Sequence, residues 1–111
     1  MSGLYVLDGH MPVVEEDVLA WGRWFETAND ERRVDETSVG DVRISTVFLG
    51  ADYNFTPGGL PLVFETMVFG GPHEGYTDRY TTWDEAEAGH ARIVAALRAG
   101  KDPDDDIEIP Y

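Results

Sequence analysis

Apolar positions along this chain recur at two spacings. Over 42–50 (VRISTVFLG) and 60–71 (LPLVFETMVFGG) the β-branched and aromatic residues alternate at a spacing of two, which is the strand period. In the first run Val42, Ile44, Thr46 and Phe48 face one way, with Arg43, Ser45, Val47 and Leu49 on the reverse. In the second, Leu62, Phe64, Thr66 and Val68 share a face, with Val63, Glu65, Met67 and Phe69 behind them. A weaker strand is expected over 33–39, turned into the next by Gly40-Asp41, and a short one over 75–80. Residues 50–59 (GADYNFTPGG) form a loop, because Pro57-Gly58-Gly59 cannot continue a strand. Near the start, Asp8-Gly9 between the apolar runs 4–7 and 10–14 predicts a hairpin with its turn at that pair. Pro12 makes the second arm an edge.

Two stretches follow the helical period. Glu15-Glu16-Asp17 opens the first, with Val18, Trp21, Trp24, Phe25 and Ala28 on one stripe and Asn29-Asp30 at its end. The second opens on Thr82-Trp83-Asp84-Glu85, a capping-box pattern, and runs to about residue 99, where Gly100 closes it. Its stripe is Trp83, Ala86, His90, Ile93, Val94 and Leu97. The order of elements predicts an α+β fold: an antiparallel β-sheet with two helices packed on one face. Residues 1–100 make a single domain and 101–111 an acidic C-terminal tail, in which Ile107, Ile109 and Tyr111 alternate and suit a docked strand. The reverse sheet face, with Val47, Leu49, Val63, Met67 and Phe69, needs cover from a second subunit, from the hairpin, or from the 50–59 loop.

Charge narrows the choice of partners. Twenty-two acids against eight bases give a net −14 over 111 residues. The tail holds five acids and one Lys, leaving −10 on residues 1–100. Such a surface repels phosphate backbones, so nucleic acid is not an expected partner, and a basic protein is. The chain has no cysteine, which excludes disulfides, thiolate metal sites and Cys nucleophiles and fits a reducing cytoplasm. No apolar run is long enough for a membrane span, and the N-terminal pattern is not that of a signal peptide.

Candidate chemistry is sparse. His90 lies on an apolar stripe, where it is either a core histidine bonded to a strand Thr or a carbonyl, or a base or ligand contact. Glu65 sits among apolar neighbours and needs a partner, for which Arg43, Arg79 and His90 are the candidates. If Glu65 meets His90, the two make an acid/base pair. Tyr53, Asn54 and Phe55 lie on the glycine-rich loop and suit a recognition element. His73, Glu74, Asp78 and His10 are metal-ligand types without diagnostic spacing, so no metal or other cofactor is expected. Neither a Walker loop nor a G-x-S-x-G motif is present.

Several stretches together carry a resemblance: Trp21-Gly22-Arg23-Trp24-Phe25, Val39-Gly40-Asp41 leading to Ser45-Thr46-Val47-Phe48-Leu49-Gly50, Leu62-Val63-Phe64-Glu65-Thr66-Met67-Val68-Phe69-Gly70-Gly71, and Tyr80-Thr81-Thr82-Trp83-Asp84-Glu85-Ala86 with Gly89-His90. In these the chain resembles a family of small proteins without assigned activity, encoded by tailed phages and prophages, mainly of actinobacteria. The resemblance spans about residues 1–98 and implies a viral origin and a bacterial cytoplasmic setting rather than a mechanism. Family members often carry a His within 51–54, where Tyr53 and Asn54 stand here, so no two-His site is implied.

The leading expectation is a non-catalytic phage or prophage accessory protein that binds a host or phage macromolecule, with a homo-oligomer as one way to cover the sheet. Contacts are expected from His90, Glu65, Arg43, Arg79, Tyr53, Asn54 and Phe55. A small-ligand binder, such as a sponge for a host defence nucleotide held by arginines, is the second expectation. A small hydrolase using His90 and Glu65 is the third.

Overall fold

A computed structural model describes residues 3–104. The tail positions Ile107, Ile109 and Tyr111 lie outside them. The fold is α+β. A hairpin of β1 (Tyr5–Asp8) and β2 (Met11–Val14) is followed by α1 (Val18–Thr27) and the short α2 (Asn29–Arg32). Four antiparallel strands come next: β3 (Arg33–Val39), β4 (Val42–Phe48), β5 (Phe64–Phe69) and β6 (Thr77–Tyr80). They lie side by side in chain order, and α3 (Trp83–Arg98) packs along one face of them.

The alternation of β4 and β5 explains that packing. Ile44, Thr46 and Phe48 pair with Val68, Thr66 and Phe64, and all six are fully buried. Against them α3 sets Trp83, Ala86, Gly89, His90, Ile93, Val94 and Ala96. Thr82 caps α3 as its spacing predicts: its hydroxyl accepts from Glu85 N–H, and the Glu85 carboxylate accepts from Thr82 N–H. The strand expected over 60–71 shortens to β5, because Pro61 lacks a ladder donor. Val63, placed on the reverse face by alternation, is fully buried and belongs to the cluster of Phe48, Phe64, Tyr80 and Trp83.

The hairpin departs from expectation by one residue. Asp8 pairs with Met11, so the turn is Gly9-His10 and not Asp8-Gly9, and Gly9 alone has positive φ (62°). Pro12 supplies the reason. A turn at Asp8-Gly9 would put it at a hydrogen-bonded pair, where its missing N–H would break the ladder. In the observed register it faces Leu7 at a non-bonded pair, costs no ladder bond, and removes one outward donor from an exposed edge. The hairpin forms its own two-stranded sheet, joined to the end of β4 by Tyr5 N–H to Gly50 C=O and by a bridge between Leu4 and Ala51.

Helix α1 is also corrected. The acidic triplet precedes it instead of forming its first turn, and Asp17 is the N-cap, accepting from Leu19 and Ala20 N–H. Its neighbour is β1 rather than the broad sheet face, so Val18 and Leu19 stay 63% and 70% exposed. Trp24 still meets Phe48 edge to face, with ring centres 5.8 Å apart. The Trp21 indole N–H reaches the carbonyls of Gly50 and Tyr5, at 2.9 and 3.1 Å.

Gly50 is the pivot of that junction, with φ of 79° and Phe25 so close that a Cβ would lie 2.9 Å from its ring. Gly50→Ala combines backbone strain with overpacking and should lose about 2 kcal/mol or more in urea unfolding. A loss under about 0.5 kcal/mol would show that the junction yields freely.

Candidate functional site

His90 does not open to solvent. It is 2% exposed and lies where α3 crosses β3 and β4. Its Nε2 is 2.8 Å from Thr37 Oγ1 and its Nδ1 2.7 Å from Thr46 Oγ1. Thr46 Oγ1 is in turn 2.5 Å from Thr66 Oγ1, which accepts from the Tyr80 hydroxyl at 3.0 Å. One polar line therefore runs from β6 through β5 and β4 to α3 and on to β3. Burial lowers the His90 pKa from its ordinary value, against a smaller opposing pull from the Asp35 carboxylate, 3.8 Å from Nε2. The ring is therefore neutral near pH 7. We assign its proton to Nε2, facing Asp35 and Thr37, which leaves Nδ1 to accept. Thr46 then donates to His90 and accepts from Thr66, and Thr66 accepts from Tyr80, so Thr46 and Thr66 each donate once and accept once. Burial, the largest cause, pushes the Tyr80 hydroxyl up to about 12, so it stays a donor.

Glu65 lies across the sheet from this line. Thr66 points to His90's side of β5, so Glu65 points to the other. There its Oε2 accepts from Arg79 Nε at 3.0 Å. The acid/base pair of Glu65 and His90 does not form, because adjacent strand residues point to opposite faces. Arg43 donates to Glu36 at 2.9 Å and lies 4.1 Å above the Phe69 ring. Arg79 lies 5.1 Å from the Tyr53 ring. Of the arginines expected to hold phosphates (Arg43, Arg79 or Arg23), Arg43 and Arg79 thus already face a carboxylate and an aromatic ring.

The 50–59 loop organises itself. Asp52 Oδ1 accepts from Asn54 and Leu62 N–H, and Asn54 bridges Thr56 N–H and Leu60 C=O. Asn54 therefore has a structural task. Phe55 has none visible: it is 85% exposed, and Leu60 is 71% exposed. His73 faces Asp102 at 3.4 Å, Asp78 binds Arg92 at 3.0 Å, and His10 stacks on Trp83. Among the described residues no three His, Asp or Glu converge as metal ligands.

A strand Thr was the expected partner of a core His90, and the structure supplies two, Thr37 and Thr46. Thr46 and Thr66 were visible as polar residues inside apolar faces, and only the fold brings them to His90. Tyr80 and Gly89 had no such signal. Gly89 is needed because a Cβ there would run into the Tyr80 ring and hydroxyl. No known protein family, curated protein or solved structure matches this chain.

Two outcomes test the polar line. Thr46→Val keeps the shape but strands His90 Nδ1 and Thr66, and should cost about 1–3 kcal/mol at pH 7. For pH, the folded pKa of His90 lies below its unfolded value, so below about pH 6.5 the unfolded chain binds the extra proton. Stability should therefore be full above that pH and fall as the pH drops below it, with a slope that His90→Leu reduces. Equal slopes in parent and variant would contradict the neutral buried ring.

Proposed function

We propose that this chain is a non-catalytic accessory protein of a tailed phage or prophage, acting in the bacterial cytoplasm by binding a host or phage protein. The observation that carries the non-catalytic reading is the closed state of the polar line. Its imidazole is 2% exposed, both ring nitrogens have threonine partners, and the carboxylate once suggested for it faces away. A general base must reach the proton that it takes. The phage origin rests on the resemblance, strongest through Phe64–Gly71.

Charge supports a basic protein partner. At −14, electrostatic steering would speed its encounter and slow that of nucleic acid. Among the described residues no helix is long and apolar enough to cross a membrane. The 50–59 loop supplies an apolar contact, since Phe55 and Leu60 project from a frame held by Asp52 and Asn54. A second copy is the occupant we assign to the reverse sheet face, where Val47, Met67 and Phe69 are half-buried on the side away from α3.

A tagged full-length chain should capture a protein from actinobacterial lysate at low salt and release it as salt rises. Phe55→Ser, in a side chain that packs on little, should leave the melting temperature within about 2 °C and abolish capture. Capture that is absent at low salt, or indifferent to Phe55→Ser, would refute this use of the loop.

A further inference from the structure

The tip of the hairpin and the start of α3 border an open cleft of about 450 Å³ that the polar line does not involve. Met11, Pro12 and Trp83 form its apolar wall, and Asp8 and Asp84 supply its charge. Among the described residues no Lys or Arg lines it. His10 lies flat on Trp83, with ring centres 3.7 Å apart and planes within 3°, which fixes the aromatic wall. Both carboxylates are uncommitted: among the described residues neither the Asp8 nor the Asp84 side chain takes part in a hydrogen bond or ion pair, while the N-terminus of α3 is capped by Thr82 and Glu85. Trp83 is 9% exposed, and its Nε1 is the one buried side-chain polar atom among the described residues that lacks a hydrogen-bond partner.

We propose that this cleft binds an arginine side chain of the protein partner, a reading that rests on the function proposed above. An arginine has the required parts. Its aliphatic stem suits Met11 and Pro12, and its planar, weakly hydrated guanidinium stacks on aromatic surfaces and forms forked hydrogen bonds to carboxylates. Asp8 on the hairpin and Asp84 on α3 supply two such acceptors on separate elements. A phosphate or carboxylate ligand fits poorly, since it would meet two anions and no cation.

The test uses the full chain labelled with ¹⁵N and the tripeptide acetyl-Gly-Arg-Gly-amide, with its lysine and citrulline counterparts. The Trp83 indole resonance and the amides of Asp8 and Asp84 should move saturably with the arginine peptide. The Trp21 indole, held by the Tyr5 and Gly50 carbonyls, should stay still. The citrulline peptide, neutral and nearly the same shape, should leave Trp83 unmoved. An Asp8→Asn, Asp84→Asn double variant should bind the arginine peptide about tenfold more weakly or worse, with each single variant as a check on folding. A still Trp83 resonance, an equal response to citrulline, or undiminished affinity in the double variant would overturn the site. Lysine binding as tight as arginine would overturn the choice of guanidinium. With the peptide as probe, a failed partner capture leaves this result standing, and a failed titration leaves capture standing.

Discussion

The hydrogen bond between Thr46 and His90 fixes how α3 lies on its sheet. Apolar contacts along that interface are strong in sum but indifferent to small rotations. An imidazole among Ile44, Phe48 and Ile93 is not, because a buried polar ring without partners costs more than a poorly packed methyl. Only one roll of the helix gives His90 both Thr37 and Thr46 at once. Thr66 and Tyr80 extend the constraint across β5 to β6, so the same line sets the relation of all four strands to the helix. Such networks favour a single arrangement of a core when fully satisfied, and this one is.

The same feature gives a histidine on an apolar stripe a structural task. Its geometry was within reach of the sequence only in part. Alternation through β4 and β5, the turn at Gly40 and the Thr82 cap are local signals, and each acts within a few residues. Period-two alternation also implies that Glu65 and Thr66 point apart, which separates Glu65 from anything bound to Thr66. What joins Thr37 to His90 lies 53 residues away in the chain, and no local pattern encodes it. The hairpin turn was misplaced for a different reason. Asp-Gly is the stronger turn signal, yet the missing N–H of Pro12 outranks it once bond parity along the ladder is counted. In α1, helical spacing correctly marks an apolar stripe, but spacing cannot say that the neighbour is a narrow hairpin and not a broad sheet.

The few basic residues are largely engaged within the chain. Arg33, Arg43, Arg79 and Arg92 each face a carboxylate, and Arg32 donates to the Phe48 carbonyl while stacked on Phe25. Exposed pairs of this kind add little stability. Their larger effect is on the outward field: positive points are cancelled in place, and the surplus of acids faces solvent. The outward surface is therefore predominantly negative, interrupted by the exposed Arg23, Arg98 and Lys101 and by apolar projections such as Phe55 and Met11.

Gly89 lets α3 approach β6 closely enough for the Tyr80 ring to lie against its backbone. That intimacy couples the two positions. A side chain at the first is tolerable only with less bulk at the second, and the hydroxyl that anchors the threonines would go with it. Helix and sheet are therefore keyed to each other here by the absence of one side chain and the presence of another.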